Sequence, residues 1–177
     1  MKTSEEIERK WLVTTPSPEL QAFFANAANI SNSTVIRQGY LRIDDQAETR
    51  LREGYNVFLG KVTTLTFKSK GDLVRIEHET RLERKDALND AIFATGCVGK
   101  VIEKTRFKAM SPDGTTKIEI DLFKGHLEGL ILIEVEFRSE DAARDYILPK
   151  WLSDISREVT DDKRYKNASL AVEGLPA

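Results

Sequence analysis

Cysteine is nearly absent from this 177-residue chain: Cys97 stands alone, so no intramolecular disulfide framework forms. Histidine is almost as scarce. His78 and His126 lie far apart in sequence, and with one cysteine they do not make a Cys/His zinc pattern. No run approaches the roughly 20 apolar residues that span a membrane, and the opening MKTSEEIERK carries no apolar signal core. These absences predict a cytoplasmic protein in a reducing compartment, with no membrane partner. Net charge is also small, −2 from 27 basic and 29 acidic side chains, so a polyanion-binding surface has to be local and nucleic acid is not expected as a partner. Repeats, low-complexity tracts and linkers are missing too. The length and a 40% hydrophobic content predict one domain over 1–177.

What is present is alternation with period 2. Eight segments carry it: Glu5 to Val13, Thr34 to Ile43, Glu48 to Glu53, Val57 to Lys70, Leu73 to Glu83, Val98 to Met110, Thr116 to Phe123 and Leu130 to Arg138. Turn residues at Gly54, Gly71-Asp72 and Ser111-Pro112-Asp113-Gly114 predict hairpins and antiparallel neighbours, which disfavours a parallel nucleotide-binding sheet. Helices are expected over Pro18 to Ala28, Arg84 to Ala94, Glu140 to Ile147 and in a C-terminal stretch after Thr160, whose hydroxyl is placed to cap it.

Sorting the strands by parity puts charge on one face. Glu6, Glu8 and Lys10 share a face, as do Arg50 and Arg52, then Arg75, Glu77, Glu79 and Arg81, then Lys104, Arg106 and Lys108. Glu119 with Asp121, and Glu134 with Glu136, repeat the pattern against Ile118, Ile120, Ile133 and Val135. A solvated outer face explains any single strand. Same-sign pairs two residues apart are harder to explain six times over. At about 7 Å and an effective dielectric near 20, each enclosed pair costs about 2 kcal/mol, so enclosure requires opposite charge, bound cations or a bound polyanion. A sheet closed with its ionic face inward needs its apolar outer face covered, which the helices can supply.

The chemistry of that face suits phosphoryl transfer. Glu6, Glu8, Glu134 and Glu136 are hard oxygen donors for Mg²⁺ or Mn²⁺, with Ca²⁺ less suited because its tight sites use flexible loops. Arg50, Arg52 and Arg106 offer planar forks to phosphate oxygens, and Lys10, Lys68 and Lys104 offer compact positive points.

The motifs also resemble a known family. EIERK at Glu6 to Lys10, with Glu5 ahead, fits the ExExK signature of CYTH proteins, the triphosphate tunnel metalloenzymes. In family order follow QGYL (38–41), RLR (50–52), TFK (66–68), RIEHE (75–79), EKTRF (103–107), EID (119–121), EVEF (134–137) and EVTDDKRYKN (158–167). Nearly the whole chain is covered, and nine ordered blocks are far more specific than ExExK alone.

The resemblance implies a predominantly β (α+β) fold: a closed eight-stranded antiparallel β-barrel tunnel with a charged interior and flanking helices. It implies a divalent-metal-dependent triphosphatase resembling the small bacterial inorganic enzymes, with tripolyphosphate cleaved to diphosphate and phosphate by in-line attack of an activated water. Glu6, Glu8, Asp121, Glu134 and Glu136 would hold Mg²⁺ or Mn²⁺, with Glu119 a further candidate. Lys10, Arg50, Arg52, Lys68, Arg75, Lys104 and Arg106 would bind the phosphates. Lys10 and Tyr40 are the catalytic candidates, orienting or deprotonating the water if the tyrosine pKa is lowered; a packing tyrosine with a satisfied hydroxyl is the alternative. The expected partner is a small-molecule triphosphate, with a homodimer left open. Other members of the fold remain in view: a thiamine or nucleoside triphosphatase, a class IV-type adenylate cyclase, or a non-catalytic polyphosphate-binding module. The short lead before ExExK counts against cyclisation, and the four glutamates count against loss of metal chemistry.

Trp11, Trp151, Phe23 and Phe24 read as packing residues, His78 as packed or partly exposed, His126 as a solvated loop residue, and Lys163 and Arg164 as a solvated helix face.

Overall fold

A computed structural model describes residues 2–69, 74–83 and 85–176, with the side chains of 2–6, 74 and 75 outside that description. Nine strands form one antiparallel sheet: β1 (Lys2–Val13), β2 (Thr34–Ile43), β3 (Ala47–Asn56), β4 (Gly60–Ser69), β5 (Val74–Leu82), β6 (Val98–Met110), β7 (Lys117–Lys124), β8 (Ile131–Phe137) and β9 (Ser156–Glu158). Among the described residues six α-helices accompany it: α1 (Pro18–Ala25), α2 (Ala27–Asn32), α3 (Asp86–Thr95), α4 (Glu140–Asp145), α5 (Lys150–Ser153) and α6 (Asn167–Glu173).

The strand order is β5-β4-β3-β2-β6-β7-β8-β1-β9, with a further pairing of β5 to β1. This corrects the expected closed eight-stranded barrel. The sheet has a ninth strand, and one edge of β1 is divided. There β5 occupies Lys2 to Ile7 and β9 occupies Trp11 to Val13, while β8 runs along the opposite edge from Ile7 to Leu12. Between the two partial neighbours, the Lys10 carbonyl accepts from Val159 N–H at 2.8 Å and the Lys10 N–H donates to Thr160 Oγ1 at 3.0 Å. A loop, not a strand, satisfies the backbone at that point. Thr160 therefore anchors β1 and does not cap a helix, and α6 begins later, at Asn167.

Gly54 is not a turn either, since it pairs with Val62 inside the β3–β4 ladder. The hairpin turns at 57–59, and Gly60 supplies the positive φ of 69°. The Ser111–Gly114 turn forms as expected, with Gly114 N–H donating to Ser111 carbonyl oxygen at 2.8 Å. Gly71-Asp72 lies outside the described residues.

The outer face of β1, β6, β7 and β8 packs under α1, α4 and α5, where Trp11, Ile118, Ile120, Ile133, Val135 and Leu152 are buried. The aromatic readings hold: Phe23 contacts Phe24, Phe107 and Trp151, and Trp11 contacts Tyr146. A second core lies on the inner face. Ile102, Phe123 and Leu132 have the same parity as Lys104, Asp121 and Glu134, and they pack with Leu170 and Ala171 of α6. At this end apolar residues replace the ionic row and α6 covers them. His126 is half-buried in a short 3-10 turn with Nε2 buried, which corrects its reading as a solvated loop residue. No helix among the described residues is long and apolar enough to cross a membrane.

Candidate active site

Alternation along eight strands places the charged residues around a cavity of about 350 Å³ on the inner face, lined among others by Glu8, Lys10, Tyr40, Arg50, Arg52 and Glu136. Lys68, Arg106, Glu119 and Glu134 also reach it, whereas Lys104 and Asp121 are fully buried behind it. The side chains of Glu6 and Arg75 lie outside the described residues. Lys163 and Arg164 are exposed, as read from the sequence; Lys166 and Asn167, just beyond Tyr165, line the cavity instead.

The wall formed by β6, β7, β8 and β1 is internally compensated. Lys10 Nζ lies 3.0 Å from Glu134 Oε1 and donates to the Tyr165 carbonyl at 3.4 Å. Arg106 pairs with Glu119, reaches both oxygens of Asp121 at 2.7 Å, and reaches Glu134 Oε2 at 2.5 Å. Lys104 Nζ meets Asp121 Oδ2 at 2.5 Å and donates to Asn167 Oδ1 at 3.3 Å, while Asn167 Nδ2 donates to Glu134 Oε1 at 3.5 Å. Burial would raise the Asp121 carboxyl, but Arg106 and Lys104 outweigh it and hold the group below the usual carboxylate range. Burial is the main force lowering Lys104, to about 8, with Arg106 and Arg52 adding to it against the pull of Asp121.

The β3 wall differs. Arg50 Nη2 donates to Thr66 Oγ1 at 3.1 Å, and its nearest carboxylate oxygen, on Glu79, is 4.0 Å away. Its Nε is buried with no hydrogen-bond partner among the described residues. Arg52 donates only to Gln38 Oε1, through Nε at 3.1 Å and Nη2 at 2.9 Å, and makes no ion pair among the described residues. Burial first, then repulsion from Arg50 and Arg106, lowers Arg52 to about 10. A buried Arg50 beside a half-buried Arg52, each hydrogen-bonded only to a neutral group, is a preformed anion site, because an incoming anion offsets both the desolvation cost and the mutual repulsion. Lys68 is paired with Glu77 at 3.0 Å.

Across the cavity, Glu8 and Glu136 stand directly opposite each other on β1 and β8. Lys10 Nζ lies 4.0 Å from Glu8 Oε1, and a hard cation between the two glutamates would offset the remaining repulsion of like charges facing across a strand pair. Among the described residues no group of three or more metal-ligating side chains is assembled. Two carboxylates are nevertheless enough for Mg²⁺, which commonly takes one or two together with substrate phosphates. Asp121 does not fit that role, because both of its oxygens are engaged by Arg106 and one also by Lys104.

Tyr40 is buried, and burial chiefly pushes its phenol up to about 12 against the opposing pull of Arg50, Arg52 and Lys10. The lowered pKa that a basic Tyr40 requires is not met.

Sequence reasoning missed Gln38, Thr66 and Asn167. All three are polar residues at inward parity or in a matched block, a signal that charge-based sorting overlooks.

Arginines facing carboxylates across one sheet define a polyphosphate-handling protein. No protein-family model matches the chain. It is 42% identical over 169 residues to an inorganic triphosphatase of Nitrosomonas europaea, covering 94% of this chain and 97% of that one. It is 31% identical over 170 residues to an inorganic triphosphatase of Acetivibrio thermocellus, covering 94% and 92%. A solved inorganic triphosphatase matches at 38% identity and a TM-score of 0.62 over 97% of each chain. A Hippeastrum protein shares the fold at 14% identity and a TM-score of 0.53, over 78% of this chain and 82% of that one. The chain belongs to the inorganic triphosphatases of the CYTH, or triphosphate tunnel metalloenzyme, family.

Proposed function

We propose that this protein hydrolyses inorganic tripolyphosphate to diphosphate and phosphate with Mg²⁺ or Mn²⁺, in the cytoplasm. The observation that supports the reading is the polarised cavity: Arg50 and Arg52 hydrogen-bonded to neutral Thr66 and Gln38 along one wall, Glu8 facing Glu136 on the other. Among the described residues Tyr40 is the one aromatic in the lining, so the cavity offers a phosphate chain several charged contacts and a nucleoside base little to stack on.

In this reading Arg50, Arg52, Lys68, Arg75, Arg106 and Lys10 grip phosphate oxygens, and Lys104 reinforces the field from behind. Glu6, Glu8 and Glu136 would hold the divalent cation, which when bound would shield phosphate charge and polarise the anhydride, while Glu134, with one oxygen engaged by Lys10 and Asn167 and the other by Arg106, positions those groups. Asp121 positions Arg106 and Lys104. Water adds to the terminal phosphorus in line, the bridging P–O bond breaks toward diphosphate, and the proton leaves to solvent. Such a loose transition state depends on positioning and charge more than on a strong base, which suits a Lys10 held by Glu134 and a Tyr40 that stays protonated.

Phosphate release from tripolyphosphate, thiamine triphosphate and ATP, each with Mg²⁺, Mn²⁺ or EDTA, tests this. Metal-dependent turnover with tripolyphosphate preferred is expected. Preference for an organic triphosphate, or no release from any of the three, would overturn it.

A further inference from the structure

Gln38 is fully buried, and its alternation along β2 places it on the same inner face as Tyr40. Its carboxamide oxygen accepts both hydrogen bonds that Arg52 makes, at 3.1 and 2.9 Å, and its amide nitrogen donates to Tyr40 Oη at 3.4 Å. Donor counting fixes this orientation. A guanidinium has only N–H groups, so the amide has to turn its oxygen to Arg52 and its NH₂ to Tyr40. The phenol then accepts from Gln38, and its single proton has to point elsewhere. Tyr40 lines the cavity, and burial keeps it a phenol, so that proton is available to an anion there.

The backbone holds this pair rigidly. The register of β2 shifts between Gln38 and Tyr40 against β6, and again between Tyr40 and Arg42 against β3, and such irregularities re-aim side chains. Gly39 between them is packed so closely that a Cβ would lie 2.3 Å from Cys97 Sγ.

We propose that Gln38 is a positioning residue that couples the phosphate-gripping Arg52 to Tyr40, fixing the plane of the guanidinium and turning the Tyr40 hydroxyl into the cavity as a donor to a phosphate oxygen. This rests on the triphosphatase reading above and adds a specific polarity to one hydrogen-bond chain: Arg52 to Gln38, Gln38 to Tyr40, Tyr40 to substrate.

Gln38→Glu reverses that polarity at nearly constant shape, because a carboxylate accepts from both Arg52 and Tyr40 and draws the phenolic proton out of the cavity. The test is a double-mutant cycle of Gln38→Glu and Tyr40→Phe, read as the affinity for tripolyphosphate in EDTA and as kcat with Mg²⁺. Gln38→Glu should weaken binding in both backgrounds through the charge it places on Arg52. It should cost at least about tenfold more, in affinity and in kcat, when Tyr40 is present than in the Tyr40→Phe background. Equal fold losses in the two backgrounds would overturn the coupling. If Gln38→Glu does not fold, Gln38→Met answers the same question, with a kcat loss several-fold smaller in the Tyr40→Phe background than in the Tyr40 background expected, and equal fold losses in the two contradictory. The binding cycle is independent of turnover. A wild type that binds tripolyphosphate with the predicted coupling but releases no phosphate would sink the hydrolase reading and leave the coupling standing.

Discussion

Arg52 is the residue where function and stability pull apart. It is half-buried beside Arg50, answered only by an amide, and its guanidinium pKa is lowered to about 10 by desolvation and by like charge. Such strain is tolerated where a ligand relieves it. Arg52→Gln should therefore leave the thermal midpoint without ligand equal or higher, while abolishing most of the stabilisation that added tripolyphosphate gives the wild type. A melting series with and without tripolyphosphate checks this; a lower midpoint without ligand would show that Arg52 stabilises the fold. A contrasting case is Gly39, where a methyl group would meet Cys97 Sγ at 2.3 Å and Phe93 at 3.3 Å. Gly39→Ala should destabilise by about 1–3 kcal/mol in denaturant unfolding, as overpacked positions do. The charged site residues were legible from ExExK, RxR and KxR parity. Gln38 and Asn167 were not, because an amide on an inward face looks like an ordinary polar residue until its two partners are known.

At the scale of elements, α3 is tied to the outer face of β2, β3 and β4 by a compact polar network. Glu53 accepts from Arg37 at 2.9 Å and Asn89 at 2.9 Å and pairs with Lys61 at 2.9 Å, while Lys61 also reaches Asp86 at 2.8 Å. Burial would raise the Glu53 carboxyl, but hydrogen bonds from Lys61, Asn89 and Arg37 together outweigh it and lower the group below its ordinary value. A lowered acid stabilises the fold above its unfolded pKa, near 4.3, and that contribution is lost as the pH falls through the folded value. Wild type should thus lose thermal stability on acidification from about pH 5 downward more steeply than Glu53→Gln. Parallel Tm curves for the two proteins would show that the network adds no pH-dependent stability. The sheet and most helices were readable because period-2 alternation persists over ten or more residues in strands such as β2 and β6. β9, only three residues long, carries no period to read. The change from charged to apolar at Ile102, Phe123 and Leu132, where α6 packs, was not readable, because it continues the same parity without a break.

For the whole molecule, a balanced net charge of −2 conceals a strongly unbalanced interior. The sheet sorts apolar residues to its helix-covered face and ions to the other, then divides the ions into a compensated wall, an arginine wall and a facing pair of glutamates. The closed eight-stranded barrel expected from the sequence gave way to a nine-stranded sheet because β1 shares one edge between β5 and β9. Alternation reveals which face a residue occupies and not which neighbour completes an edge, so parity was readable and closure was not. The split in β1 falls at the stretch that carries Glu8 and Lys10, and the 159–160 loop holds the backbone there.

The most direct test of the polarised cavity is steady-state phosphate release from tripolyphosphate while Mg²⁺ or Mn²⁺ and substrate are titrated separately, for wild type, Glu136→Gln and Arg52→Gln. Glu136→Gln should raise the metal concentration needed for half-maximal rate about tenfold or more with a smaller change in substrate KM, and Arg52→Gln should do the reverse. Wild-type turnover that ignores the metal, or two variants that shift both requirements equally, would contradict the division of the cavity into a cation wall and a phosphate wall.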